Sequence, residues 1–281
     1  MNKILLIGAS GFLGNYCFNK FKNYSDFFVV GTCYNNLNDE FHKIDYTDKN
    51  IFLNFLKTQK PSCIIWCAGL KNLTITEKNY DLALEQNYYP IKTIVQYQNI
   101  NKNVKFIFIS TDYVFDGING RYKISDLMNP STKYGKSKAI AENHIILNSP
   151  NYSILRAGAI IGKGSKFFKW IIKKIKSSET IELYNTYFSP TPIINVFKAI
   201  KFLIMDSNNG IYHVSGKERL NRFEFGLLIK KLINYSKSHL IKIENYNNDL
   251  YIQNDLSLLI SDEFKNFESL TEYISKLIKD D

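Results

Sequence analysis

Cysteine and histidine are scarce, at four residues each in 281, and neither is placed to build a metal centre. Cys17, Cys33, Cys63 and Cys67 sit in apolar, element-like surroundings without the paired spacing of a disulfide framework. Cys63 and Cys67 flank Ile64-Ile65-Trp66 with no histidine near in sequence, so reduced core thiols and no metal are expected. Long apolar runs are missing as well. No stretch approaches the ~20 residues of a bilayer-crossing helix, which excludes a membrane span. Arginine is confined to Arg121, Arg156, Arg219 and Arg222, although Lys+Arg (36) outnumber Asp+Glu (26) and the net charge is +10. A positive charge carried by dispersed lysines lacks the forked donors that read phosphates and bases. That argues against a nucleic-acid partner and suits an anionic small molecule. From Ser189 onward no obvious repeat, low-complexity tract or linker interrupts the chain. Met1-Asn2-Lys3 runs directly into a strand-like segment, with no secretory leader, and a cytoplasmic protein is expected.

What the chain does have is a β-α alternation from its first residues. Lys3 to Ile7 reads as a buried strand, followed at once by Gly8-Ala9-Ser10-Gly11-Phe12-Leu13-Gly14 and a helix to about Lys22. Glycines between a first strand and a first helix allow a tight turn and close approach of backbone to a pyrophosphate, whose charge a helix N-terminus favours. Gly8, Ser10, Gly11, Phe12, Leu13 and Gly14 are therefore the candidate cofactor loop, with the spacing G-x-x-G-x-x-G. The second strand spans Asp26 to Cys33. After it stand Tyr34 and Asn35, where an NAD site would want a carboxylate for the ribose 2′-hydroxyl. Without that charge a 2′-phosphate is not repelled, so NADPH is favoured and NADH is left open. Ile44 to Asp48 reads as a short strand and helix cap, Asn50 to Thr58 as a helix, and Ser62 to Cys67 as a buried strand ending in Ala68-Gly69. A helical stretch from Leu82 to Tyr97 carries Asn87 and an interrupting Pro90. This order predicts an α/β fold, a Rossmann-type doubly wound parallel sheet with right-handed crossovers.

The chemistry concentrates between Lys105 and Lys138. Phe106 to Ile109 is an apolar, strand-like run that stops at Ser110-Thr111-Asp112, as a central strand does when it delivers polar side chains to the sheet's carboxyl edge. A loop with Gly117, Gly120 and Pro130 leads to a helix starting near Thr132, on which Tyr134 and Lys138 share one face. A tyrosine hydroxyl can exchange a proton near neutral pH if a cation favours its phenolate. Lys138 would supply that charge, and Thr111 a hydroxyl to hold a substrate oxygen. The Tyr-x-x-x-Lys spacing recurs at Tyr16/Lys20 and Tyr88/Lys92, but neither follows a strand ending in Ser-Thr.

Further on, Tyr152 to Ala157 is a strand. Phe167 to Ile175 forms a helix with Phe167, Phe168, Ile171, Ile172 and Ile175 on one face and lysines on the other. A membrane-surface helix has this pattern, as does a helix packed on a core, which is the reading taken. Helices are expected over Asn195 to Met205, Arg222 to Tyr235 and Leu270 to Lys279, with short strands near Ile211 and Ile241. The predicted division is a cofactor-binding domain over 1–157 and, over 158–281, mainly a smaller α/β substrate lobe, some segments returning to the first sheet.

Gly8-x-x-Gly11-x-x-Gly14, the strand ending at Thr111 and Tyr134-x-x-x-Lys138 together resemble the extended short-chain dehydrogenase/reductases. Within them, Ser110-Thr-Asp-Tyr-Val-Phe-Asp-Gly117 is similar to the active-site strand of the dTDP-4-dehydrorhamnose reductase family. Asn87-x-x-Pro90, Ser189-Pro-Thr191, Gly210-Ile-Tyr-His213 and Glu224-Phe225 also look like that family's pattern. The resemblance implies NADPH on the Gly8–Gly14 loop, adenine near Asp45 and Tyr46, and nicotinamide by Cys67, Ala68, Gly69, Tyr134 and Lys138. Asn87 resembles the superfamily's active-site asparagine and is grouped with the cofactor residues. Thr111 and Tyr134 would bind the keto oxygen of a nucleotide-linked 4-keto-6-deoxy sugar, with Asp112, Tyr113 and Phe115 close to the sugar. Tyr134 would donate the proton, and Lys138 would hold the nicotinamide ribose and lower the Tyr134 pKa. The product would feed a surface polysaccharide; a homodimer is left open. Two departures bear on the sugar and its nucleotide: Asn185-Thr186 replaces the family's Asp-Gln, and Ile252-Gln253 stands where Arg-Pro usually precedes Asp-Leu-Ser-Leu. A dehydratase would carry Asp-Glu after the threonine, where this chain has Asp112-Tyr113. Two alternatives stay open: a nucleotide-sugar epimerase, and a non-catalytic regulatory subunit like the methionine adenosyltransferase β-subunit, which resembles the same family.

Overall fold

The computed structural model of the protein describes residues 2–35, 39–177, 180–234, 237–244 and 252–279. In chain order the elements begin with β1 (Asn2–Ile7), α1 (Phe12–Phe21), β2 (Phe27–Cys33), β3 (Phe41–Lys43), α2 (Lys49–Gln59) and β4 (Cys63–Trp66). There follow α3 (Leu73–Lys78), α4 (Tyr80–Asn87), α5 (Tyr89–Ile100), β5 (Lys105–Thr111), α6 (Lys133–Asn148), β6 (Tyr152–Ala157), β7 (Ile160–Ile161) and α7 (Lys166–Lys176). The remainder comprises β8 (Thr180–Tyr184), β9 (Tyr187–Phe188), β10 (Thr191–Pro192), α8 (Ile193–Met205), β11 (Gly210–Val214), β12 (Leu220–Asn221), α9 (Arg222–Leu232), β13 (His239–Ile243) and α10 (Leu270–Lys279).

The first compact unit takes Met1–Val114, Pro130–Arg156 and Phe197–Tyr212. It carries a seven-stranded parallel sheet of order β11-β6-β5-β4-β1-β2-β3, the Rossmann arrangement. Registers such as Leu5↔Ile64 and Ile64↔Phe106 align the strand ends, so β1, β4 and β5 all deliver their next residues to one edge. Helices cover both faces, which is why these central strands are apolar throughout rather than alternating. One face is filled by Leu5, Ile7, Phe52, Leu56, Ile64, Trp66, Ile94, Phe106, Phe108 and Ile145. On α1, Phe21 packs against Phe27 and, at 5.0 Å between ring centroids, against Phe197 of α8.

Local chemistry sets the element ends. Asp48 caps α2 by accepting hydrogen bonds from the Asn50 and Ile51 amides, and Thr132 caps α6 through the Gly135 amide at 3.0 Å. Two expected elements are corrected. The third strand is Phe41–Lys43 rather than Ile44 to Asp48, because the Asp45 carboxylate accepts from the Thr47 amide and hydroxyl and turns the chain away. The stretch from Leu82 to Tyr97 is two helices, since Pro90 in the first turn of α5 cannot continue the hydrogen-bond ladder of α4.

The second unit takes Phe115–Asn129, Ala157–Val196 and His213–Asp281. Strands β8 and β13 pair in parallel, β7 pairs with β10, and β9 with β12. Short strands β7, β8, β9, β10 and β12 were beyond the sequence pattern, several being only two residues long. Helix α7 buries Phe168, Ile171 and Ile175 in the unit's core, and no described helix is long and apolar enough to cross a membrane. Helix α9 starts with a capping box between Asn221 and Glu224 and ends at Leu232; Tyr235 lies outside the described residues. Each unit is thus built from three segments. Phe115–Asn129 joins the second unit, and Phe197–Tyr212 returns to the first, where α8 packs on α1 and β11 extends the sheet.

Candidate active site

The first turn is wound as tightly as glycine permits. Gly8 takes φ +85°, its amide donating to Thr32 Oγ1 at 3.2 Å, and the Gly11 amide donates to the Gly8 carbonyl at 3.0 Å. A Cβ on Gly14 would stand 2.1 Å from the Gly8 oxygen, and one on Gly8 2.8 Å from the Ala68 nitrogen. Gly11 is the N-cap of α1 and no side chain caps that helix, so the first-turn amides around Phe12, Leu13 and Gly14 are left for an anion. Ser10 is exposed beside them. The residues therefore fit a pyrophosphate-bearing cofactor.

Beside this turn, the Tyr46 hydroxyl donates to Gln86 Oε1 at 2.8 Å and its ring meets Trp66 edge-on. Burial raises the Tyr46 pKa to about 12, with the Asp45 carboxylate adding to the effect. Hydrogen bonding from Thr47 holds the Asp45 carboxyl below its ordinary range. The Cys67 amide extends the β1 ladder to Ile7, and burial pushes its thiol up to about 12 against the pull of Lys138. Gly69, at φ +123°, lies against Asn87 Oδ1. Asn87 is buried and committed: Oδ1 accepts from the Leu70 amide at 2.8 Å, and Nδ2 donates to the Leu70 carbonyl and to Ser137 Oγ, both at 2.9 Å. It ties the Ala68-Gly69-Leu70 loop to α6, one residue before Lys138.

At the end of β5 the chain enters a 3-10 turn, Asp112–Val114, and Thr111 Oγ1 donates to Asp112 Oδ1 at 2.9 Å. Gly135 lets α6 approach this turn; a Cβ there would stand 2.0 Å from the Tyr113 carbonyl. The approach sets Tyr134 against Tyr113, ring centroids 5.8 Å apart, and brings its hydroxyl into a hydrogen bond with Thr111. Part of the Tyr134 side chain stays exposed, yet burial around the hydroxyl pushes its pKa well above the usual phenol range, opposed by the Thr111 bond and reinforced by Asp112 and Tyr113. Lys138 is 4 % exposed. Its Nζ donates to the Ile109 carbonyl at 2.8 Å and lies 3.8 Å from the centroid of the Phe108 ring. Burial lowers its pKa to about 7, with Glu142 and Cys67 working the other way.

Lys138, one turn further along α6, donates to the backbone carbonyl of Ile109 on β5. Thr111, Asp112, Tyr113, Tyr134 and Lys138 are brought together. Phe115 belongs to the second unit, 1 % exposed, with its ring stacked on Tyr122 at 4.3 Å and edge-on to His213. Among the described residues no cluster of three metal-ligating side chains exists. The sequence reading gave no role to Glu142 or Arg156, which with Ser110 form a buried network behind Lys138. Arg156 Nη2 and Nε reach Glu142 Oε2 at 2.8 and 3.0 Å, and Ser110 Oγ donates to Glu142 Oε1. Glu142 continues the four-residue spacing of Tyr134 and Lys138, which is the one signal that pointed to it.

A Rossmann sheet with a glycine-wound first turn, and Thr111, Tyr134 and Lys138 gathered at its carboxyl edge, defines an extended short-chain dehydrogenase/reductase. The profile of the RmlD substrate binding domain matches residues 1–251, and the chain belongs to that family, the family of the dTDP-4-dehydrorhamnose reductases. Methionine adenosyltransferase 2 subunit beta of Danio rerio is 28% identical over 250 residues, covering 85% of this chain and 76% of that protein. The dTDP-4-dehydrorhamnose reductase of Aggregatibacter actinomycetemcomitans is 27% identical over 238 residues, covering 82% of this chain and 78% of its own. The structure of dTDP-4-dehydrorhamnose reductase from Bacillus anthracis in complex with NADP shares the fold, with a TM-score of 0.87 at 23% identity over 100% of this chain and 99% of that one.

Proposed function

We propose that the protein is an NADPH-dependent reductase of a nucleotide-linked 4-keto-6-deoxy sugar, acting in the cytoplasm and feeding a surface polysaccharide. The observation that carries this is the Thr111–Tyr134 hydroxyl pair at the end of β5, on the sheet whose first turn is shaped for a pyrophosphate. Bound NADPH would supply the hydride, held by Gly8 to Gly14, the Ala68-Gly69 backbone and Lys138. The end of β2, Cys33-Tyr34-Asn35, places no carboxylate against a 2′-phosphate, which favours NADPH over NADH. Thr111 and Tyr134 would hold the keto oxygen. Tyr134, a neutral phenol at physiological pH, would donate its proton as that oxygen gains negative charge. Asp112 and Tyr113 line the same turn, and the second unit is the proposed substrate lobe.

The test is loss of NADPH absorbance with purified protein and a dTDP-4-keto-6-deoxy sugar, with NADH in parallel. Turnover that disappears in Tyr134→Phe supports the assignment, and unchanged turnover in that variant refutes the mechanism. A second reading, a cofactor-binding regulatory subunit, is favoured by the likeness to the Danio rerio subunit. It predicts tight NADPH binding without turnover of any nucleotide sugar.

A further inference from the structure

Glu142 is a buried carboxylate that the proposed chemistry does not use. It is 0 % exposed, and its partners Arg156 and Ser110 are 2 % and 6 % exposed. Taking such an ion pair out of water is costly, and an apolar pair of similar size is often as stable, so stability alone does not account for it. Its connections lead to the site. On α6, Glu142 follows Lys138 by one turn, as Lys138 follows Tyr134. Ser110, which donates to it, immediately precedes Thr111 on β5. Arg156 anchors it from β6, the neighbouring strand.

The groups facing Lys138 can be enumerated by element. Strand β5 offers the Ile109 carbonyl and the Phe108 ring, the end of β4 offers Cys67, α6 offers Tyr134 on one side and Glu142 on the other, and β6 offers Arg156 paired with Glu142. Cys67 is held as a neutral thiol by burial. Glu142 is thus the anion that acts on the Lys138 ammonium, its pull offset in part by the Arg156 guanidinium.

We propose that Glu142, gripped by Arg156 and Ser110, is a positioning residue that locks α6 onto the end of β5 and keeps Lys138 cationic for the cofactor. The functional half rests on the NADPH reading; the electrostatic half does not. In Glu142→Met/Arg156→Met the pair is removed as a unit, so no lone charge is left buried. Glu142→Gln/Arg156→Met, which keeps an acceptor for Ser110, serves if the first does not fold. Titration of Lys138 is read from the carbon-13 shift of its Cε in lysine-labelled protein, assigned with Lys138→Arg. The midpoint is expected to fall by about one pH unit, with NADPH affinity near neutral pH about tenfold weaker. A merely structural pair would leave the midpoint where it is, and an unmoved midpoint in a folded variant overturns the proposal. A shifted midpoint with unchanged NADPH affinity overturns its functional half. The Cε measurement needs no ligand, so a wild-type protein that binds no NADPH refutes the reductase reading separately.

Discussion

Replacing Lys138 by methionine should stabilise the fold while abolishing its use. Lys138 is carried from an ordinary 10.5 to about 7, chiefly by burial. At ~1.4 kcal/mol for each pH unit, holding the ammonium in that site costs about 5 kcal/mol at pH 7 and below. Methionine fills the aliphatic volume without the charge. It forfeits the bond to the Ile109 carbonyl, about 1–2 kcal/mol, leaving a net gain of roughly 3 kcal/mol at pH 6. The sign follows from proton binding. Between 7 and 10.5 the unfolded chain holds a proton that the folded protein has shed, so wild-type stability from this group rises with pH and the variant's advantage shrinks. By pH 8.5 about 2 kcal/mol of that advantage should be gone. Urea unfolding of both proteins followed by far-UV circular dichroism, at pH 6 and 8.5, measures it. A variant less stable than wild type at pH 6, or an advantage independent of pH, would refute the reasoning, because either would mean that Lys138 is not desolvated as the structure has it.

Three further expectations follow from the same geometry. Tyr134→Phe should bind NADPH as wild type does by fluorescence titration, yet lose roughly 10²–10⁴-fold in turnover with the loss of its proton donor. Gly14→Ala forces a methyl to within 2.1 Å of the Gly8 carbonyl; a backbone shift costing about 1–3 kcal/mol should show as a lower urea midpoint and as lost NADPH binding. Asn87→Ala frees both polar groups of the half-buried Leu70 backbone, and with each lost bond costing about 1 kcal/mol it should lower the thermal midpoint and loosen the loop in hydrogen exchange at Leu70.

Legibility in the sequence followed the range of the interaction. The first turn could be read because three glycines serve one local need, and α6 because Thr132 and Gly135 define its start within four residues. The strand at Phe41 was misread by a few residues since its register is set by Gly31, ten residues upstream, and its end by the Asp45 turn. Phe115, expected close to the sugar from the resemblance, stacks its ring on Tyr122, a contact that no spacing rule announces. The Arg156–Glu142 pair joins a strand to a helix across a side-chain interval, and an isolated arginine in an apolar strand gave no hint of its partner.

The placing of Lys138 sets two demands on one side chain. A Tyr-x-x-x-Lys spacing implies a lysine that tunes its tyrosine; here burial raises the Tyr134 pKa, and one of the three Lys138 N–H donors goes to the Ile109 carbonyl. Binding a ribose and making Tyr134 more acidic are then distinct demands on one side chain. The first requires only that Lys138 stay charged and within reach of the cofactor turn, which Glu142 favours. The second requires proximity to the phenol. A reductase needs Tyr134 as an acid, and raising its pKa makes it a weaker one, so ketone reduction needs the second demand as well as the first. The reverse reaction, oxidation of an alcohol, would need the phenolate. On the proposed reductase reading, alcohol oxidation should depend more steeply on high pH than ketone reduction does.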